Sequence, residues 1–287
     1  MHHLPTALTI AGSDSGGGAG IQADIKTFTA WGVFGMTAIT AVTVQNTQGV
    51  FGIVALPPDT VARQIDVVAE DIGVDAAKTG MLASAAIIHA VADAVRRNGI
   101  TRLVVDPVMR AKSGNSLLAS DAEHALITEL LPLAMVVTPN IPEAERLVGF
   151  PIRSRTDMLR AARAILEMGP RVVVVKGGHF PDATHTVADL VIDRTRMAWL
   201  HGPRWDTPHT HGTGCTFSAG IAAGLARGWD PWRAIFFAKI FVSESIRHAP
   251  ELGHGHGPLH HMWAGTIPFD RNVPDDHGVT WHQVEAP

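Results

Sequence analysis

At 287 residues, with 46% apolar and 17% charged side chains, the chain has the length and apolar content for one large domain or two ordinary ones. A formal net charge of −4 with scattered lysines and arginines excludes a nucleic-acid surface, and a single cysteine, Cys215, excludes a disulfide framework or a multi-cysteine zinc site. Met1–Pro5 lacks a basic stretch followed by an apolar one, and no run of about 18 apolar residues offers a membrane span, so a cytoplasmic protein is expected.

In chain order, Ala7–Ala11 predicts a buried strand, followed by a Gly-rich turn and a helix over Ile21–Trp31. Met36–Gln45 predicts a strand, Val61–Asp71 a helix and Val74–Lys78 a strand. Ser84–Asn98 predicts a helix with Ile87, Ile88, Val91 and Val95 on one face. A strand at Arg102–Asp106, a helix at Ser120–Leu131 and a strand at Met135–Thr138 follow. Helices at Pro142–Leu147 and Thr156–Met168 precede a strand at Arg171–Lys176. Val187–Ile192 and Met197–Leu200 predict antiparallel strands at an edge, and helices at Gly214–Arg227 and Pro231–His248 close the core. Apolar strands alternating with amphipathic helices predict a mostly parallel sheet covered on both faces. No linker or repeat interrupts it, so residues 1–266 read as one domain and 267–287 as a surface tail.

In such a fold ligands bind at the carboxyl ends of the strands. The polar and Gly-rich segments fall there: Gly12–Gly20, Gln45-Asn46, Asp106-Pro107, Thr138-Pro139-Asn140 and Lys176-Gly177-Gly178. Gly18-Ala19-Gly20-Ile21-Gln22-Ala23 fits a loose dinucleotide pattern, but no acidic residue follows between Asp24 and Asp59, and no Gly-Lys-Ser/Thr occurs. A ligand-facing loop remains, since a plain tight turn does not need so many glycines. His211-Gly212-Thr213-Gly214-Cys215-Thr216 opens a helix, where free N–H groups and the helix dipole suit an anion. A cysteine in that turn is expected to have a lowered pKa; the plainer account is a structural cysteine after a glycine cap. Lys176 could reach a phosphate or simply extend its stem over apolar surface. Glu143 could hold hydrated Mg²⁺ or merely match the helix dipole. The histidines from His248 to His261 are broken by Gly and Pro, which disfavours a metal site.

Ala11-Gly12-Ser13-Asp14 with Gly16–Gly20 and Gln22-Ala23-Asp24, Val44-Gln45-Asn46-Thr47, and Asp106-Pro107-Val108-Met109 with Ser113-Gly114 begin a longer series. Thr138-Pro139-Asn140 with Pro142-Glu143-Ala144, Val175-Lys176-Gly177-Gly178-His179, His211–Thr216, and Gly253-His254-Gly255 with Gly257-Pro258 complete it. The series resembles the hydroxymethylpyrimidine/phosphomethylpyrimidine kinases of thiamin biosynthesis, collinear from about residue 6 to residue 262. The resemblance implies a three-layer α/β/α ribokinase-like fold, usually a homodimer. It also implies ATP- and Mg²⁺-dependent phosphorylation of 4-amino-5-hydroxymethyl-2-methylpyrimidine, then of its monophosphate. Under it, Asp24 and Gln45 would hydrogen-bond the pyrimidine and Gly12 would line its pocket. Gly212, Thr213 and Gly214 would form an anion hole, Cys215 would stand where sugar kinases of this fold carry an aspartate base, and Lys176, Asn140 and Thr213 would meet ATP. Asp106, Asn140 and Glu143 would organise Mg²⁺. A pyridoxine/pyridoxal kinase of the same fold, or a non-catalytic nucleotide- or vitamin-binding protein, are the alternatives.

Overall fold

A computed structural model describes residues 3–109, 120–178, 185–263 and 278–283. Strand β1 (Thr6–Asp14) leads through helix α1 (Gly20–Ala30) to β2 (Phe34–Asn46), which folds back as β3 (Gly49–Ala55). Helix α2 (Pro58–Asp71), β4 (Ala76–Thr79), α3 (Ala85–Arg97) and β5 (Leu103–Val105) follow. Helix α4 (Ser120–Ala125) runs on through a wide turn at Leu126–Leu130 and a tight one at Leu131–Leu133 into β6 (Val136–Val137). Then come α5 (Ile141–Val148), α6 (Arg155–Leu166), β7 (Val172–Val175), β8 (Thr186–Asp193) and β9 (Met197–Pro203). Helices α7 (Thr213–Ala226) and α8 (Pro231–Arg247) precede β10 (Thr280–Gln283).

The strands form one ten-stranded sheet in the order β10-β9-β8-β7-β6-β5-β4-β1-β2-β3. From β2 to β7 the neighbours are parallel; β3, β8, β9 and β10 add on antiparallel. The alternation of buried side chains gives three layers. Leu8, Val105, Val137 and Val173 face one apolar cluster with α2 to α6, while Ala7, Val104, Val136 and Val172 face a second with α1, α7 and α8. Each fully buried Val, Leu or Ile contributes about 1.5–3 kcal/mol over its exposed state.

The order of strand addition reverses at β1: β2 and β3 build out to one edge, then β4 returns to the other side of β1 and the sheet grows the opposite way. Loops on either side of such a reversal part, leaving a crevice at the carboxyl ends of the strands. Among the described residues, no helix is long and apolar enough to cross a membrane.

Two strands were not expected. The hairpin strand β3 pairs antiparallel with β2 from Ala41↔Ala55 to Asn46↔Gly49. The stretch read as a surface tail contributes β10, which pairs with β9 from Thr280↔His201 to Gln283↔Ala198. The reason is that β9 would otherwise leave a row of unpaired backbone groups at the edge, and Val279 is buried in the α7/α8 cluster. Motif residues Ser113, Gly114 and His179, and most of the tail, lie outside the described residues.

Candidate active site

The loop after β1 is ordered by Asp14. Its Oδ1 accepts from the Gly16 N–H (2.8 Å), and its Oδ2 accepts from those of Ala19 (2.8 Å) and Gly18 (3.1 Å). His211 Nε2 lies 2.9 Å from the same Oδ2 and 3.3 Å from Gln45 Nε2. Burial would raise the Asp14 carboxyl, but His211 and the loop N–H groups outweigh it and hold it below the usual range. Gln45 Oε1 accepts from Thr43 Oγ1 at 3.0 Å. Gln45, Asp14 and His211 therefore meet where β2, the β1 loop and the approach to α7 converge. Gly12 packs against Met81, where a β-carbon would come within 2.7 Å of Cε.

Helix α7 begins at Gly212, which is left-handed (φ 83°) and has no side-chain cap. A side chain there would run into the Gly18 carbonyl, so only glycine lets the β1 loop and α7 meet. Thr216 N–H is bonded to Gly212 C=O and Thr213 N–H reaches Thr210 C=O at 3.4 Å, which leaves the Gly214 and Cys215 N–H groups of the first turn without an intrahelical acceptor. Thr213 Oγ1 donates to Thr210 C=O at 2.8 Å.

Lys176, just past β7, reaches the same point: Nζ is 3.1 Å from Asp106 Oδ1 and 4.0 Å from Glu143 Oε2. A β-carbon built on Gly214 would lie 3.4 Å from both Asp106 Oδ2 and Lys176 Nζ, so the α7 turn touches this cluster. Burial works against the ammonium, yet the carboxylates of Asp106 and Glu143 raise its pKa and keep it charged. Glu143 shows the converse. Burial, with Asp106 adding to it against the pull of Lys176, pushes its carboxyl up to about 7. Two carboxylates share one lysine, and the cluster is short of positive charge.

Asn140 stands beside this cluster as the cap of α5. Its Oδ1 accepts from Glu143 N–H (2.9 Å) and Glu143 Oε2 accepts from Asn140 N–H (2.8 Å).

Two sequence expectations change. Asp24, read as a pyrimidine contact, has no exposed surface; its Oδ2 accepts from Lys78 Nζ (2.8 Å) and Thr9 Oγ1 (2.6 Å). Carried inward on α1, its carboxylate meets a buried cation rather than the crevice. The Cys215 thiol is also not lowered. It keeps partial exposure, but enclosure by protein, with Asp24 and Asp106 opposing Lys78, pushes its pKa up to about 11. Desolvation outweighs the helix dipole here.

Two histidines of the His248–His261 run are held by neighbouring protein groups. His261 lies 2.9 Å from Thr216 Oγ1 and burial pushes it down to about 4, so it is neutral. His256 Nδ1 lies 3.1 Å from Pro208 O, and Gly253 and Gly255 press on Thr47. Among the described residues, no group of three or more His, Cys, Asp or Glu is arranged to hold a metal by itself. Sequence reasoning gave no role to Asp14 and missed Lys78; the signal for the latter was a single charge in the apolar Ala76–Thr79 strand.

The sequence model of a family described as phosphomethylpyrimidine kinase matches residues 14–260. A hydroxymethylpyrimidine/phosphomethylpyrimidine kinase of Bacillus subtilis is 49% identical over 256 residues, covering 89% of this chain and 94% of that one. The crystal structure of a phosphomethylpyrimidine kinase from Clostridium difficile superposes with a TM-score of 0.74 at 42% identity, over 84% of this chain and 99% of that one. A pyridoxal kinase from Staphylococcus aureus, in complex with AMP-PCP and pyridoxal, gives a TM-score of 0.85 at 35% identity, over 98% and 99% of the two chains.

Proposed function

The chain belongs to the phosphomethylpyrimidine kinase family, within the ribokinase-like fold, and on that footing we propose a two-step reaction at the α7 crevice. The enzyme transfers the γ-phosphoryl group of ATP to the hydroxymethyl oxygen of 4-amino-5-hydroxymethyl-2-methylpyrimidine. It then phosphorylates the resulting monophosphate to the diphosphate, for thiamin biosynthesis. The observation that carries this reading is the meeting, at one point, of the uncapped α7 turn, Lys176 and the only cysteine.

Phosphoryl transfer asks for positioning and charge neutralisation more than for covalent chemistry. The N–H groups of Gly212, Thr213 and Gly214 receive the transferred phosphoryl oxygens. Lys176 balances charge that builds toward the leaving phosphates. Gln45, with both an amide donor and a carbonyl acceptor, recognises the ring's amino group and nitrogen, while Gly12 keeps the pocket wall thin. Cys215 takes the proton from the attacking hydroxyl.

The charge shortfall at Asp106 and Glu143 suits hydrated Mg²⁺, which binds through one or two carboxylates, waters and substrate phosphates rather than in a protein cage. Asp106 and Glu143 would hold it, with Asn140 fixing the Glu143 position; once bound, it supplies Lewis-acid neutralisation of the phosphate charge.

Exposed apolar side chains on the β2–β3 hairpin, with Val42, Val44 and Val54 on one face and Phe51 and Ile53 on the other, support a homodimer. Light scattering at twice 30.6 kDa is the expected result. Likeness to pyridoxal kinases favours pyridoxal phosphorylation as a second reading. ADP release measured with the pyrimidine, its monophosphate and pyridoxal in parallel separates them. Turnover with both pyrimidines ahead of pyridoxal is expected; turnover with pyridoxal alone overturns the proposal.

A further inference from the structure

The roles above give no part to His211, the residue before the Gly212 start of α7. It is fixed from three sides. Its main-chain N–H donates to Gly257 C=O at 3.1 Å, its Cδ2 would lie 2.6 Å from a β-carbon built on Gly18, and its Nε2 meets Asp14 Oδ2 at 2.9 Å. Asp14 already accepts three loop N–H bonds, so its carboxylate is ionised and can only accept. The ring therefore carries a proton on Nε2, the nitrogen that also lies 3.3 Å from the Gln45 amide. The Asp14 contact accounts for the order of the loop; the approach to Gln45 is left over.

The β2–β3 register shifts between Val44 and Gln45, a bulge of the kind that re-aims a side chain. The Gln45 amide keeps nearly the same shape when turned over, so its neighbours decide which end faces which. With Nε2 toward His211, one N–H faces another at 3.3 Å. The single Thr43 hydroxyl proton then also faces two carbonyl oxygens, Ser13 O at 2.9 Å and Gln45 Oε1 at 3.0 Å. Turning the amide over removes both conflicts. Its oxygen then accepts from His211 Nε2–H, its nitrogen donates to Thr43 Oγ1, and Thr43 donates to Ser13. One N–H and one lone pair of the amide remain for a ring.

We propose that His211 is the positioning residue that holds the Gln45 amide with its oxygen toward α7, and so sets the ring specificity of the site. The inference rests on the reading of Gln45 as the pyrimidine contact. In the hydroxymethylpyrimidine the ring nitrogen, the amino group and the hydroxymethyl group follow one another around the ring. An amide oxygen on the α7 side takes the amino group there, which carries the neighbouring hydroxymethyl group to the start of α7. The opposite amide would turn the ring over and send the hydroxymethyl group toward Thr43, away from Gly212–Cys215.

The probe is the 4-oxo analogue of the substrate, in which a carbonyl acceptor replaces the amino donor and the adjacent ring nitrogen carries a proton. Steady-state kcat/KM is measured on both rings with the wild type and three variants. His211→Phe keeps a ring without a donor, His211→Gln keeps one N–H for Asp14 and one for Gln45, and Thr43→Val removes the amide's other partner away from α7. Near-UV circular dichroism monitors folding. The wild type should prefer the amino ring by about 10²-fold or more, since the oxo ring reverses both contacts. His211→Phe and Thr43→Val should each lower that preference by about tenfold or more, because the amide is then free to turn; His211→Gln should keep most of it. A purely structural His211 predicts equal losses on both rings and an unchanged preference. An unchanged preference in folded His211→Phe overturns the inference, as does one in Thr43→Val where His211→Phe does not fold. A wild type that turns over both rings equally overturns the inference alone; one that turns over neither overturns the proposed reaction and the inference with it.

Discussion

Raising the pH should accelerate the first phosphorylation and leave the second nearly unchanged, because burial pushes the Cys215 thiol up to about 11. The first acceptor is a neutral alcohol that loses its proton as it attacks. The second is a phosphate oxygen already anionic near neutral pH. Only thiolate can accept the alcohol proton, and with this pKa its share is roughly one in ten thousand at pH 7 and one in a hundred at pH 9. The active form is the deprotonated one, so the rate rises with pH. Log kcat/KM for the hydroxymethyl substrate should climb with a slope near one, a gain of about a hundredfold between pH 7 and 9, with less than about threefold for the monophosphate. The assay is steady-state ADP release with each substrate at constant ionic strength. Cys215→Ala should flatten the first profile and cost that step on the order of 10²–10⁴-fold. The second step should lose much less, since the α7 N–H groups survive the substitution. A flat first-step profile in the wild type, or a slope that persists in Cys215→Ala, refutes the reasoning.

Lys176→Ala should lower turnover with both substrates by roughly 10²–10³-fold while leaving pyrimidine affinity by calorimetry unchanged; normal turnover would reduce Lys176 to a packing role. Gln45→Leu should weaken pyrimidine binding by roughly 1–3 kcal/mol for each group left unpaired, with ATP affinity intact. Gly212→Ala, at φ 83° and against the Gly18 carbonyl, should abolish turnover of both substrates, and an active, stable variant would contradict the close approach of the β1 loop to α7. Glu143, raised from 4.5 to about 7, stabilises the metal-free fold fully below 4.5 and loses that contribution as pH rises through 7. Denaturant titrations of wild type against Glu143→Gln should therefore diverge across this window, by at most about 3 kcal/mol, and parallel curves would dismiss the shift.

The sequence was most legible where one local signal decides the structure. The short, wholly apolar runs at Leu103–Val105 and Val172–Val175 are strands buried on both faces, as their composition requires. The capping residues Ser84 and Asn140 open α3 and α5. Strand β3 was hidden because Gly49 and Gly52 interrupt it and Phe51 and Val54 are exposed, which erases the alternation that marks a half-buried strand. Strand β10 was hidden because the need for it lies in the edge of β9, far away in sequence. In the site, the pattern around Gly212–Cys215 located the uncapped start of α7 but suggested the wrong direction for the thiol. Helix position is a local property, whereas the burial and the carboxylates of Asp24 and Asp106 arrive from other elements. Asp24 likewise belongs to a recognisable motif, yet its partner Lys78 is 54 residues away and became visible only when β1 and β4 were paired.

The most direct measurement of the central claim is a ³¹P NMR time course of one reaction containing the hydroxymethylpyrimidine, ATP and Mg²⁺. The monophosphate resonance should appear first, then decline as the diphosphate resonances grow, with two ADP formed for each pyrimidine consumed. A spectrum in which ATP is left intact, or in which the monophosphate accumulates without becoming diphosphate, would contradict the account.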